Sequence, residues 1–203
     1  MVFWNLCNEA CAIISAWTDG DNINGESSQA TFDEKSTFKF DSKIHAANNK
    51  AQRSRDDLYL PGNYSIEANL YFDSIDVDEE NSFLIQLINS IVEVDISFRS
   101  DGLFIANPSF SEVGSDLVVE QQWQNWRFEI FGSIRSSAKC NVYLNKILVA
   151  SNIACNGGDG TGMNALYLLQ YGKGTVDNNI TYLDYIKISS YRLRGILPRF
   201  YSN

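Results

Sequence analysis

Glu93 and Asp95 are the acidic residues of a short alternating segment, Glu93-Val94-Asp95-Ile96-Ser97. In a β-strand, side chains two residues apart point to the same face, so both carboxylates would lie on one face of a sheet. Paired carboxylates can serve as nucleophile and acid/base in glycoside hydrolysis, which makes this segment the strongest indication of catalysis in the chain. The alternative interpretation is a solvated strand face that lies opposite the core.

Other catalytic patterns are not favoured. A serine or cysteine nucleophile needs a base that is held by a third group, and His45 is the single histidine. Residues 157–162 are rich in glycine but lack the Lys-Ser/Thr pair that grips phosphates. We interpret them as a flexible loop.

The segment from Asp19 to Glu26 is rich in side chains that carry oxygen atoms. Ca²⁺ prefers several oxygen ligands, which a tight loop with carboxylates can provide. The pattern predicts Ca²⁺ as a cofactor, bound by Asp19, Asp21 and Asn24 with Asp184 as a distant ligand. The alternative is that Asp and Asn occupy this loop only because they favour turns.

Several aromatic residues near predicted turns could form a platform for sugars, because flat rings stack on the apolar faces of pyranoses. These candidate ligand-binding residues are Phe104, Phe110, Trp123 and Tyr171. Asp159 and Asn164, in the neighbouring loop, could form hydrogen bonds to sugar hydroxyl groups. The alternative is ordinary packing of aromatic rings in the core or at a sheet edge.

The four cysteines indicate the compartment and two covalent links. Local spacing predicts the disulfides Cys7–Cys11 and Cys140–Cys155, although four cysteines allow three connectivities. A hairpin turn at Asn145-Lys146 would set Cys140 opposite Ser151, so Cys155 would have to curl back. Disulfides favour an extracellular or cell-surface location. The N-terminal residues do not form a convincing signal peptide.

Composition excludes some partners. The chain has 203 residues, 44% of them hydrophobic, and a formal net charge of −9. An acidic chain has no cationic surplus to offset phosphates, so we expect neither nucleic acid nor an anionic membrane as a partner. The longest apolar run is too short to span a bilayer.

Period-two alternation dominates the chain and predicts half-buried β-strands. The strongest case places Tyr64, Ile66, Ala68, Leu70 and Phe72 on one face. The pattern predicts an all-β fold, a two-sheet antiparallel jelly-roll sandwich, as a single domain over residues 1–190. Residues 43–57 are predicted as a helical turn or a long loop. We expect the tail, residues 191–203, to pack on the domain or on a neighbouring subunit.

The order of features from Asn63 onward resembles the laminin-G-like, concanavalin A-like jelly-roll superfamily. The matching pieces are an opening strand, a strand–turn–strand unit, a strand led by tryptophan, a hairpin and a closing strand. They lie at 64–68, 98–105, 126–129, 142–149 and 182–188. The resemblance implies two antiparallel sheets, of which one is concave.

Members of that superfamily include sugar-binding modules, adhesion modules and glycosidases, so the fold alone does not select a function. Laminarinase-type glycosidases carry a third acid on the strand of the carboxylate pair, where this chain has Ser97 or Phe98. We therefore expect a non-catalytic, extracellular carbohydrate-binding or adhesion module, with a glycan or cell-surface polysaccharide as partner. The alternatives are a self-associating surface or filament subunit, which would be a homo-oligomer, and a glycosidase or lyase.

Overall fold

The computed structural model describes most of the chain. The described residues are 3–5, 17–19, 22–43, 45–56, 58, 60, 63–76, 82–88, 93–106, 109–132, 138–155, 164–174 and 178–190. They form β-strands and turns and include no helix, and therefore no helix that could cross a bilayer. The predicted all-β class is confirmed.

Two antiparallel sheets pack face to face. Sheet A has the strand order β13-β12-β11-β6-β15-β4-β3, and β1 also pairs with β15. Its strands are β1 (Phe3–Asn5), β3 (Glu26–Phe32), β4 (Lys35–Asp41), β6 (Tyr64–Ser74), β11 (Trp123–Phe131), β12 (Ala138–Leu144), β13 (Ile147–Cys155) and β15 (Ile180–Ser190).

Sheet B has the order β10-β9-β8-β7-β14-β5-β2. Its strands are β2 (Thr18–Asp19), β5 (His45–Arg55), β7 (Phe83–Ile88), β8 (Glu93–Arg99), β9 (Gly102–Ala106), β10 (Phe110–Ser115) and β14 (Ala165–Gly174). The two sheets form the predicted jelly-roll-like sandwich. Each sheet is left with one face toward the core and one outer face.

The core lies between the sheets and is rich in aromatic rings. The predicted alternation along β6 is confirmed, since all five of its inward side chains, from Tyr64 to Phe72, are fully buried. Rings contact each other across the two sheets, as where Phe98 of β8 meets Trp126 of β11 edge to face at 5.3 Å between ring centroids. Such pairs add to the burial of apolar area that holds the sheets together.

The prediction of a helical turn or loop at 43–57 is wrong, because residues 45–55 form strand β5. The stretch is poor in the β-branched and aromatic residues that usually mark a strand. It is held instead by pairing, since β5 runs antiparallel to β14 over most of its length. Tertiary pairing here overrides the weak intrinsic preference of the residues.

The hairpin at Asn145-Lys146 is confirmed, and both residues have the positive φ of a two-residue type I′ turn, 51° and 71°. Register shifts along β12 then set Cys140 opposite Ile153 and Cys155 opposite Ala138. The two sulfurs are therefore on diagonal positions, which are wider than a disulfide normally spans. Cys140 and Cys155 are buried free thiols in place of the predicted bridge.

Several predictions lie outside the described residues. These are the Cys7–Cys11 disulfide, Asp21 and Asp159 of the candidate sites, and the packing of the tail from 191 to 203. The single-domain assignment, the homo-oligomer and the extracellular location stay predictions.

Candidate functional site

The outer face of sheet B carries a row of polar side chains across four neighbouring strands. Tyr167 of β14 lies opposite Ser54 of β5 on one side and Gln86 of β7 on the other, and Gln86 lies opposite Asp95 of β8. Directly opposed residues point to the same face, so these four side chains form one rung, which we call the tyrosine rung. Because strands are about 4.8 Å apart, Tyr167 and Asp95 lie about 10 Å apart at the backbone, with Gln86 between them.

The next rung along the same face is almost completely shielded from solvent. It consists of Gln52, Leu169, Leu84 and Ser97, and each of these is at most 8% exposed. An outer face that faced open water would not bury a serine and a glutamine in this way. At this rung the β8 face is therefore not a solvated strand face, and we call this rung and the neighbouring tyrosine rung the recessed floor of sheet B.

Arg99, at the end of β8, places a cation on this floor. Its guanidinium carbon lies 4.1 Å from the ring centroid of Phe104 and 5.2 Å from that of Phe110. The Arg99 Nε donates a hydrogen bond to Ser97 Oγ at 3.2 Å. Two of the rings predicted as a sugar platform thus serve to position an arginine that is only 9% exposed.

Tyr171 lies at the same level of the sheet as Arg99. Phe83 of β7 pairs with Gln170 on one side and with Phe98 on the other, and Tyr171 and Arg99 are the residues that follow these two. Tyr171 is also opposite Lys50 of β5, which brings a second cation to this level. Asn164 stands at the other end of the floor, where its backbone N–H donates to the carbonyl oxygen of Ile88 at 3.0 Å. The face therefore combines cations at one end with the tyrosine rung nearer the other.

Tyr167 is held in its protonated form. Burial, together with the negative charge of Asp56 and a hydrogen bond to it, raises the pKa of the Tyr167 hydroxyl above its ordinary value. A phenol that keeps its proton at neutral pH is suited to donate it to a leaving oxygen, and unsuited to act as a base.

Asp95 and Glu112, two described carboxylates of this face, do not form a glycosidase pair. Asp95 and Glu112 lie two strands and one rung apart, which corresponds to about 12 Å at the backbone. Retaining and inverting glycosidases need about 5–5.5 Å and 6.5–9.5 Å between their carboxyl groups. Glu93 belongs to β8, but its side chain lies outside the described residues.

The predicted calcium ligands are not brought together by the residues that are described. Asn24 is exposed and bridges to Lys50 at the edge of sheet B. Asp184 lies on sheet A, where its Oδ2 is 3.1 Å from Lys35 Nζ and accepts a hydrogen bond from Asn69. No three His, Cys, Asp or Glu side chains converge within the described residues. Asp19 belongs to β2, but its side chain and the whole of Asp21 are not described, and calcium stays a prediction.

Trp123 is separated from the other predicted aromatic ligands. It belongs to β11 and lies opposite Tyr71 of β6, on the outer face of sheet A. Phe104, Phe110 and Tyr171 all lie on the outer face of sheet B. The single predicted platform is therefore two separate surfaces on opposite sides of the sandwich.

Comparison with known proteins is informative only at the level of structure. No protein-family model matches the sequence, and no curated protein matches it significantly. Among solved structures, it resembles the endo-β-1,4-glucuronan lyase from the fungus Trichoderma reesei, with a TM-score of 0.67, 10% identity, and coverage of 94% of this chain and 95% of that one.

Two further structures share the fold. The alginate lyase Aly36B in complex with alginate trisaccharide gives a TM-score of 0.62 at 10% identity, over 94% of this chain and 98% of that one. The cellulose-induced protein Cip1 gives a TM-score of 0.62 at 14% identity, over 87% and 91%. The neighbours agree with a concanavalin A-like jelly roll and give no support to laminin G in particular.

These neighbours correct the expected function. The sequence favoured a non-catalytic binding or adhesion module, whereas two of the three proteins just described are polysaccharide lyases. The expectation that the chain is not an enzyme is overturned by this finding, and the glycosidase-or-lyase alternative is the better supported one.

Proposed function

We propose that this chain is a carbohydrate-active enzyme that cleaves an acidic polysaccharide by β-elimination on the outer face of sheet B. The observation that carries the proposal is the tyrosine rung, which places the protonated Tyr167, the amide of Gln86 and the carboxylate of Asp95 in one row on a recessed floor. The names of the two lyases of the same fold support it, because glucuronan and alginate are both polymers of uronic acids.

The two cations at the Tyr171 end of the floor favour a substrate that carries a carboxylate at that end. The chain as a whole carries a formal charge of −9, yet Arg99 and Lys50 put two cations on this face at the level of Tyr171. Arg99 is largely buried and stacked on Phe104, so its charge is fixed in place and poorly screened by water. A guanidinium in such a position recognises a carboxylate through charge-assisted hydrogen bonds.

The reaction needs an acid and a base but no second carboxylate. A base removes the proton from sugar carbon C5, next to the carboxylate, and the electron pair of that bond forms the C4=C5 double bond. The glycosidic C4–O bond breaks, its electron pair stays on the departing oxygen, and a general acid protonates that oxygen. No water is consumed, and the new non-reducing end is an unsaturated uronate.

The residues of the tyrosine rung suit these roles. Tyr167 supplies the proton for the departing oxygen, since a phenol is neutral at neutral pH and the raised pKa of Tyr167 keeps it so at higher pH as well. Asp95 lies about 10 Å away at the backbone, on the other side of the row, and is the carboxylate that accepts the C5 proton. The amide of Gln86, between them, donates hydrogen bonds to the substrate carboxylate and thereby favours loss of the adjacent proton.

The experiment measures elimination directly. Purified protein is incubated with polyglucuronate, alginate and a neutral β-glucan, and the ultraviolet absorbance of the C=C bond conjugated to the carboxylate is followed. We expect absorbance to rise with a uronate polymer. Tyr167→Phe should lower kcat by about 10²–10⁴-fold, the usual contribution of a general acid.

The matched control is Tyr143→Phe, which removes a tyrosine hydroxyl on the outer face of sheet A that donates to Glu129 Oε2 at 2.9 Å. It should leave kcat unchanged. Because the pKa of Tyr167 lies above 10, the wild-type rate should not fall on the alkaline side until the pH passes 10. An active Tyr167→Phe variant, or failure to cleave either uronate polymer, would contradict the proposal.

A further inference from the structure

The outer face of sheet A carries a cluster of aromatic rings that the proposed reaction does not use. Tyr182 of β15, Tyr71 of β6 and Trp123 of β11 form one rung across three neighbouring strands. Phe32, at the end of β3, stacks on Tyr182 with ring centroids 4.0 Å apart and planes 10° apart. Phe32 also contacts Tyr71 at 4.7 Å and Trp123 at 6.1 Å between centroids. We call these four residues the aromatic patch.

The patch borders an open hollow at the surface. The hollow has a volume of about 420 Å³ and is lined by Phe32, Asp33, Tyr71, Gln121, Gln122 and Trp123. Three of the lining residues are aromatic, and the other three end in amide or carboxylate groups. This combination, flat apolar walls with a few polar groups at the rim, is typical of sites that bind sugars or other small polar ligands with an apolar face.

Polar contacts hold the rings of the patch in fixed positions. Trp123 Nε1 donates a hydrogen bond to Asp33 Oδ2 at 2.8 Å, and Lys35 Nζ lies 4.1 Å from the centroid of the tryptophan ring. Lys35 is itself ion-paired to Asp184 at 3.1 Å. Asp33 stands in the β3–β4 hairpin at a positive φ of 52°. Rigid rings that are fixed before binding lower the entropy cost of holding a ligand.

The charges around the patch favour a neutral ligand over an anionic one. Burial raises the pKa of the Tyr71 hydroxyl, and the negative charges of Asp73 and Asp33 raise it further. The ammonium group of Lys35 is already engaged by Asp184. A uronate carboxylate placed here would meet the carboxylates of Asp33 and Asp73, whereas the Tyr171 end of the recessed floor of sheet B carries the cations Arg99 and Lys50.

We infer that the aromatic patch is a second carbohydrate-binding site, specific for a neutral chain of pyranoses and separate from the proposed cleavage site. Sugar rings would stack on Trp123 and Tyr71, and the side chains of Gln121, Gln122 and Asp33 would bind the hydroxyl groups. A second copy of the chain fits less well, because a symmetric contact between two patches would bring Asp33 and Asp73 toward their own counterparts.

The first test measures binding without cleavage. The wild-type protein is mixed with regenerated cellulose and with insoluble β-1,3-glucan, and the bound fraction is determined at low and high salt. We expect binding to at least one of them, independent of salt, because no ionic contact is involved. Trp123→Ala should weaken the partition at least tenfold. Gln122→Ala, at an exposed position, should weaken it several-fold without affecting folding.

The matched control is Tyr143→Ala, which removes an aromatic ring from the same outer face but outside the patch. It should bind as the wild type does. Cleavage of soluble uronate oligomers should be unchanged in Trp123→Ala, so this site and the proposed function fail or succeed independently. Circular dichroism and melting of each variant separate lost binding from lost folding.

The second test uses tryptophan fluorescence. Trp17 and Trp126 are buried, whereas Trp123 lies at the hollow. Soluble cello-oligosaccharides or laminari-oligosaccharides should change the emission of the wild type, and Trp123→Phe should abolish the change. The inference is overturned if neither neutral polymer binds, if only uronate polymers bind, or if Trp123→Ala binds as tightly as the wild type. It is also overturned if the patch variants change the oligomeric state measured by light scattering and leave polymer binding unchanged.

Discussion

The two outer faces of the sandwich come from the same period-two alternation but differ in what surrounds them. Leu169 on the outer face of sheet B is 3% exposed, whereas Leu148 on the outer face of sheet A is 51% exposed. Arg99 on sheet B is largely buried and stacks on Phe104 at 4.1 Å, and Arg127 on sheet A stacks on Tyr143 at the same distance but stays partly open to water. Strand alternation decides which side chains reach an outer face, and the surroundings decide whether that face can support chemistry.

The largest effect expected from this difference is on stability. Leu169→Ala should lower the free energy of unfolding by about 2–4 kcal/mol, because it leaves a cavity in a shielded surface. Leu148→Ala, the matched change on the other face, should alter it by less than about 0.5 kcal/mol, since the side chain is already in water. Urea unfolding of both variants measures the contrast, and equal losses would show that the floor of sheet B is not recessed.

A smaller effect is expected on substrate binding. Arg99→Gln should lower the affinity for a uronate polymer by about 10- to 100-fold, in line with the loss of a charged hydrogen bond worth about 1.5–3 kcal/mol. Arg127→Gln removes the same charge from the outer face of sheet A, where Arg127 is paired with Glu129 at 2.9 Å, and should leave the affinity unchanged. Isothermal titration calorimetry measures the two affinities, with each change made in a Tyr167→Phe protein that does not cleave the polymer. Equal weakening by the two changes would mean that only overall charge matters.

The smallest effect concerns the acid response of sheet A. Burial alone would raise the pKa of Asp41, but hydrogen bonds from Lys39 and Lys43 outweigh it and hold the pKa below its ordinary 3.8. A carboxyl group with a depressed pKa stabilises the fold above its unfolded pKa, and that contribution is lost as the pH falls through the lower, folded value. Asp41→Asn should therefore cost about 1 kcal/mol at neutral pH and progressively less below pH 3.8. Thermal melting across this range tests it, and a difference that stays constant with pH would refute the assignment.

The sequence predicts the fold better than the site because strand alternation is a local signal. The buried face of β6 and the Asn145-Lys146 turn follow directly from residue types and spacing. The residues of β5 do not predict a strand, because Ala, Asn, Lys and Gln have weak β-preference and only the pairing with β14 makes the segment a strand. Bulges in β12 shift the hairpin register, so that Cys140 lies opposite Ile153 rather than opposite Ser151 as a regular hairpin would set it, and spacing along the chain carries no signal of such bulges.

The sequence does not predict the candidate site, for a related reason. Gln86 and Asp95 come from consecutive strands, but Tyr167 comes from β14, far away in the sequence, and only the order β8-β7-β14 places all three in one row. Alternation along β8 alone indicates Asp95 and pairs it with Glu93, because its neighbours on the rung belong to other strands. Trp123 and Tyr171 were predicted to share one platform, although they belong to different sheets. No local pattern carries the order of strands in a sheet.

The central claim is that the outer face of sheet B cleaves a uronate polymer by elimination rather than hydrolysis. The most direct measurement is cleavage in water enriched in heavy oxygen, followed by mass spectrometry of the oligosaccharide products formed by the wild type. Elimination consumes no water, so we predict unsaturated products that carry no heavy oxygen from the cleavage step. Saturated products, in which one of the two fragments from each cleavage has gained one heavy oxygen atom, would show hydrolysis and contradict the account.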